Sequence, residues 1–135
     1  MPDGPMRVVL GVVAGVVVAF LCIWAIEAVG HSLFPTAEGV DFGDPEQVAR
    51  MVESLPAMAF LFVLGGWFLG SLLGAWAANA IARRGRAGWI VALLVVAGGV
   101  ATMAMIPHPV WMWAGGIVLP LAAGWLAQRL AGVPT

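Results

Sequence analysis

Four long apolar runs take up most of this chain and decide what it can fold into. They cover approximately residues 7–30, 57–82, 87–106 and 110–130. An α-helix needs about 20 apolar residues to cross a hydrocarbon core of roughly 30 Å. The 135 residues are 62% hydrophobic and 10% charged, more apolar surface than one small soluble domain can bury. The sequence therefore predicts an all-α, polytopic membrane protein, a bundle of four transmembrane helices in a single domain over residues 1–135.

The loop between the first two runs, residues 31–56, is acidic and contains its own helix signal. Asp44-Pro45-Glu46-Gln47 combines an N-cap acid, a proline at the first helical position and a glutamine at the third. Apolar residues then recur at helical spacing as far as Leu55. The pattern predicts a short amphipathic helix over residues 45–55, lying on the outer membrane surface or capping the bundle.

The arginines indicate how the chain is threaded. If the four helices alternate in direction, five of the six arginines fall on one side and Arg50 alone on the other. By the positive-inside rule both termini are then cytoplasmic. A composition rich in Ala, Val, Gly and Arg, without lysine, suggests a bacterium, so the expected location is a bacterial inner membrane. No basic patch favours nucleic acid as a partner, and the lipid bilayer is the expected surrounding.

Small residues recur every four positions along the second apolar run. Such a strip lets another backbone approach closely where lipid removes the hydrophobic driving force between helices. Glycines on the third and fourth runs offer matching surfaces, which favours packing within one chain. A homo-oligomer or another membrane protein as partner remains the alternative. The strip consists of Gly66, Gly70, Gly74 and Ala78.

Glu27 is the one acidic residue within the four apolar runs, and His31 follows it on the same helical face. A carboxylate within a membrane is costly unless paired, hydrated or protonated, so it is a candidate functional site. Starting from Arg7, a rise of about 1.5 Å per residue places Glu27 roughly 30 Å higher, near the outer edge of the hydrocarbon. Two hypotheses stay open: a structural pair that anchors the helix end, and a proton or cation site.

The string Ile26-Glu27-Ala28-Val29-Gly30, with Leu33 after it, resembles the first helix of the small multidrug resistance transporters. In that family a membrane glutamate binds both protons and cationic drugs, so the resemblance implies a proton or cation role for Glu27. The chain departs from that family in its long first loop and its lack of tyrosine. As a whole it resembles small bacterial four-helix membrane proteins through Glu27-x-x-x-His31-x-x-x-Pro35, which implies a fold and no activity.

A second candidate site concentrates thioether and imidazole side chains around one turn. Met103, Met105, His108 and Met112 are residue types that bind Cu(I). Methionine is also ordinary filler for irregular apolar gaps. Cofactors are not expected from any other motif.

No phosphate loop, catalytic triad motif or pair of membrane aspartates indicates an enzyme. The sequence therefore predicts a non-enzymatic accessory or scaffold protein, whose outer loop meets a partner. The alternative is a small proton- or cation-coupled transporter that uses Glu27, and Cu(I) handling is a third hypothesis.

Overall fold

The computed structural model describes residues 4–36 and 38–135, and in these residues it has five α-helices and no β-strand. Residues 1–3 and 37 of the predicted domain lie outside the described residues. All helices except α2 are long and apolar enough to cross a membrane, by length and composition. The all-helical prediction and the short loop helix are confirmed. The helices are α1 (Gly4–Leu33), α2 (Pro45–Ser54), α3 (Ala57–Ala82), α4 (Gly85–Met105) and α5 (Val110–Ala131).

The ends of the helices differ from the predicted ranges where backbone geometry decides them. α1 continues through His31 to Leu33, because the first residue that cannot extend the helix is Pro35. α4 begins two residues earlier than predicted, since Arg83 adopts a left-handed conformation at φ 55° and turns the chain at once. α5 ends at Ala131, where Gly132 takes the left-handed cap position at φ 63°.

α3 lies at the centre of the bundle and contacts α1, α4 and α5, and its most extensive contact is with α1. The small-residue strip of α3 meets a matching strip on α1. A Cβ atom added to Gly15 would lie 2.5 Å from the carbonyl oxygen of Gly74, and the reverse distance is the same. The two backbones therefore touch. The strip on α1 consists of Gly11, Gly15 and Ala19.

The small-residue strip of α3 therefore packs against α1. The sequence had instead predicted contact with glycines of the third and fourth apolar runs. Gly98 of α4 has no atom within 4 Å of an added Cβ, and Gly99 and Gly116 accommodate the ring of Trp67 instead. The sequence pattern does not mark the α1 strip, because the strip lies in a valine-rich run that is apolar on every face.

One buried polar contact joins α3 to the start of α4. Asn79 is fully buried, and its Oδ1 accepts a hydrogen bond of 2.7 Å from the backbone N–H of Gly88. Glycine is required here, because an added Cβ would lie 2.6 Å from the Asn79 amide group. This bond satisfies one of the backbone donors that the first turn of a helix leaves without an internal partner.

α2 lies in the loop that connects the end of α1 to the start of α3. The end of the bundle next to this loop is called the loop end below. The Asp44 side chain caps the helix by accepting a hydrogen bond of 3.0 Å from the Glu46 N–H. Val48 and Met51 are buried on the inner face of α2. Val52 packs against the core cluster around Phe60 of α3. These side-chain contacts place the inner face of α2 against the loop end of the bundle. The opposite end, where Arg83, Arg84 and Arg86 lie, is called the arginine end.

Replacing Gly74 with alanine is expected to destabilise the bundle by about 1–3 kcal/mol, because the new methyl group overlaps the backbone of α1. Gly65→Ala is the matched control on the same helix, since an added Cβ there meets nothing within 4 Å. Thermal unfolding of the purified variants in detergent measures the difference. Equal unfolding midpoints for the two variants would contradict the backbone contact between α1 and α3.

Acidification is expected to fray the start of α2. Hydrogen bonds from the Gln47 side chain and the Glu46 backbone hold the pKa of Asp44 below its usual range. A carboxyl group with a lowered pKa in the folded state stabilises the fold above its unfolded pKa of about 3.9. That contribution disappears as the pH falls through the lower folded value.

The measurement is hydrogen exchange at the Glu46 and Val48 amides, corrected for its intrinsic pH dependence. The wild-type amides lose protection in acid, whereas Asp44→Asn keeps a capping oxygen and shows no such response. If Asp44→Asn lost as much protection in acid as the wild type does, the Asp44 carboxylate would not be the group responsible.

Candidate functional site

A cavity of about 470 Å³ lies at the loop end, between α1, α3, α4 and α2, and is called the polar cavity below after the histidine, threonine and glutamate side chains in its lining. Its polar lining includes Glu27, His31, Thr102 and His108. The walls are otherwise largely apolar and aromatic, and include Phe60 and Phe62 of α3. The two candidate residues of α1 therefore share one cavity with a threonine and a histidine from elsewhere in the chain.

An apolar groove of about 300 Å³ runs from the same point along α1, α3 and α4. Its walls include Phe20, Ile23 and Leu94, of which Phe20 and Leu94 are more than half exposed on the bundle surface. The groove exists because α1 contacts α4 much less extensively than α3, and because Gly98 has no side chain to fill it. Glu27 and Thr102 line both the groove and the polar cavity.

The half-buried Glu27 carboxylate interacts with the Trp67 side chain of α3. Trp67 is itself buried, with 5% of its surface exposed. Its ring fits against two glycines: an added Cβ at Gly99 would lie 3.0 Å from the ring, and one at Gly116 would lie 2.8 Å from it. α4 and α5 therefore fix the indole, and the indole in turn fixes the carboxylate.

The two histidines that line the cavity belong to different parts of the chain. His31 lies one turn after Glu27 on α1 and is exposed at the cavity mouth. His108 is held in the turn between α4 and α5, where its Nδ1–H donates a hydrogen bond of 2.6 Å to the Ile106 carbonyl. The His108 ring also meets the edge of Phe60, with the ring centroids 6.0 Å apart.

The methionine and histidine side chains suggested for Cu(I) do not gather into one ligand set. Met103 and Met112 are buried in the apolar core around Trp67, with 3% and 0% of their surfaces exposed. Met105 is 82% exposed on the other side of α4. The filler role of methionine therefore accounts for the two buried residues. Within the part of the chain that the structure describes, no three His, Cys, Asp or Glu side chains are placed to hold a metal ion.

The small-residue strip lies away from this site but determines its position. Gly70, Gly74 and Ala78 contact α1 directly, and Gly66 faces Ile26, the residue before Glu27. These contacts hold the last two turns of α1 beside Trp67.

The sequence missed Trp67 and Thr102 as site residues. Trp67 lies in a different helix from Glu27. Thr102 is one of the few polar residues in the apolar runs, and its Oγ1 donates a hydrogen bond of 2.9 Å to the Gly98 carbonyl of its own helix. Nothing in the spacing of either residue indicates which helix it faces.

Comparisons with protein-family models, with curated proteins and with solved structures find no match for this chain. The residues around Glu27 are therefore the basis for a functional assignment. The arrangement offers a carboxylate acceptor between a polar cavity and an apolar groove. Such a site can exchange a proton with water or bind a cation that carries an apolar group.

The contact between Trp67 and Glu27 is expected to make the indole fluorescence depend on the ionisation of the carboxylate. The emission of the wild-type protein should include a component that changes with pH and disappears in Glu27→Gln. Trp67→Phe removes the same component, whereas Trp76→Phe keeps it, because Trp76 is 47% exposed on the bundle surface. A full pH response in Trp67→Phe would show that the two side chains do not interact.

Proposed function

We propose that this chain is a non-enzymatic accessory protein of a bacterial inner membrane that binds a small organic cation at Glu27. The ligand enters from the outer side and carries a positive charge together with an apolar group. The protein crosses the membrane four times, with both termini in the cytoplasm. The single observation that carries the proposal is that Glu27 lines both the polar cavity and the apolar groove.

The charges at the two ends of the bundle support this orientation. Arg83, Arg84 and Arg86 connect α3 to α4 at the arginine end, and Arg7 donates a hydrogen bond to the Ile81 carbonyl beside them. Cytoplasmic loops carry such an excess of arginine. The loop end, with the Glu27 cavity and the acidic segment before α2, then faces outward.

The chemistry of the site selects a cation over a neutral or anionic ligand. A half-buried carboxylate gains more from a positive partner than an exposed one, because water screens the interaction less. The Trp67 side chain interacts with Glu27, and a carboxylate with two oxygens still has acceptor capacity for a ligand. The groove walls of Phe20, Ile23 and Leu94 supply the apolar contact.

A proton-coupled transporter is the second candidate function, and one observation favours it. Because Glu27 faces both cavities, a proton arriving from the polar cavity and a cation lying in the groove would compete for one carboxylate. Such competition is the minimum requirement for exchange of one ion for the other.

Glu27→Gln is expected to weaken the binding of benzylammonium, a small organic cation with N–H donors and an apolar ring, by about tenfold or more, as the loss of one charge-assisted hydrogen bond implies. Calorimetric titration of the detergent-purified chain measures the affinity. Glu53→Gln, an exposed acid of α2, is the matched control and should bind as the wild type does. Wild-type affinity should also fall in acid as Glu27 takes up a proton, and this pH dependence should vanish in Glu27→Gln.

Equal affinity of the wild type and Glu27→Gln would overturn the binding proposal. A flux assay in liposomes separates the two candidate functions. Movement of the cation against its gradient, driven by a pH gradient and lost in Glu27→Gln, would establish transport. Binding without flux would support the accessory role.

A further inference from the structure

A second cavity, of about 370 Å³, lies beside the last turns of α5 at the arginine end, far from Glu27. Its lining consists of Trp125, Gln128, Arg129, Gly132 and Val133. The Arg129 guanidinium lies 5.2 Å from the centroid of the Trp125 ring, a cation–π contact that holds the group at the cavity.

Gln128 joins this cavity to the start of α4. Its Oε1 accepts a hydrogen bond of 2.8 Å from the Trp89 indole N–H, and its Nε2 donates one of 3.0 Å to the Thr135 hydroxyl. Gly85 packs directly on the Gln128 amide, and the Gly85 N–H donates a hydrogen bond of 2.7 Å to the Pro134 carbonyl. Hydrogen bonds and packing therefore join the first turn of α4 to the end of α5 and the residues after it.

The same contacts bring together two chain segments that carry arginines. Arg84 and Arg86 flank Gly85, which touches Gln128, and Arg129 follows Gln128 in the chain. All three side chains are exposed. Residues 54–135 contain no acidic side chain, so these arginines have no carboxylate from their own helices. The ionisable side chains of this surface are therefore all positively charged, and arginine side chains of this kind bind anions.

We propose that the cavity beside Arg129 binds the phosphate group of an anionic phospholipid, whose acyl chains lie along α5. A guanidinium binds phosphate through two parallel N–H donors, and basic pockets at the cytoplasmic ends of membrane helices bind lipid headgroups. Trp125, which lines the cavity, is 54% exposed. Its ring provides an apolar contact for the acyl chains, which a free phosphate ion does not need.

The test is native mass spectrometry of the full chain in detergent, titrated with dioleoyl phosphatidylglycerol or with dioleoyl phosphatidylcholine. The wild type is expected to retain one phosphatidylglycerol molecule in preference to phosphatidylcholine. The double variant Arg86→Gln with Arg129→Gln should bind phosphatidylglycerol about thirtyfold more weakly, because each arginine near an anionic lipid contributes about 1 kcal/mol and every 1.4 kcal/mol is a factor of ten. Arg50→Gln is the matched control, because Arg50 is exposed at the opposite end, and it should keep the preference.

A second measurement, thermal unfolding, distinguishes a variant that has lost lipid binding from one that fails to fold. Phosphatidylglycerol should raise the thermal unfolding midpoint of the wild type and of Arg50→Gln, and leave that of the double variant unchanged. Equal retention of the two lipids by the wild type would overturn the proposal, and so would an unchanged preference in the double variant. Binding of inorganic phosphate that depends on Arg129, without a preference between the lipids, would also overturn it. Because the readout does not involve Glu27, the result is independent of the cation-binding proposal.

Discussion

The direct backbone contact between α1 and α3 is the interaction on which the rest of the structure depends. Lipid tails are as apolar as the side chains of these helices, so burial of apolar surface gives the bundle little reason to assemble. Close packing of small residues supplies van der Waals contact instead, and it is greatest where the backbones touch. At Gly15 and Gly74 the distance from an added Cβ to the facing carbonyl oxygen is only 2.5 Å. This contact holds α1 against the central helix and fixes the height of Glu27 beside Trp67.

The site arises where that close packing ends. Towards the loop end the small residues of α1 give way to Ile23 and Ile26, which face Gly70 and Gly66 of α3. Beyond them Trp67 fills the core, supported by Gly99 and Gly116. α4 contacts α1 far less than α3 does, so a groove remains between them and ends at Glu27. The position of the carboxylate is therefore set by glycines on three other helices.

Local signals in the sequence were sufficient for the elements of this fold. The run lengths predicted four apolar helices, and Asp44-Pro45 predicted the start of α2, because both depend on residues close together in the chain. The partner of each helix was harder to predict. The strip on α3 is visible as a repeat of small residues, but Gly11 and Gly15 lie in a run that is uniformly apolar, so periodicity does not mark a face. The pairing of Glu27 with Trp67 joins residues forty positions apart, and no spacing rule connects them.

The same packing limits how an ion could pass from the Glu27 cavity to the arginine end. The path along α1 and α3 is closed by backbone contact at Gly15 and Gly74, and these glycines have no side chain that could rotate away. Asn79 bonded to Gly88 closes the boundary between α3 and α4 near the arginine end. The least extensive helix contact in the bundle is that between α1 and α4. A conducting state would therefore require α4 to separate further from α1 while α1 and α3 move as one body. This movement would extend the apolar groove towards the arginine end and leave Glu27 at the loop end of the groove.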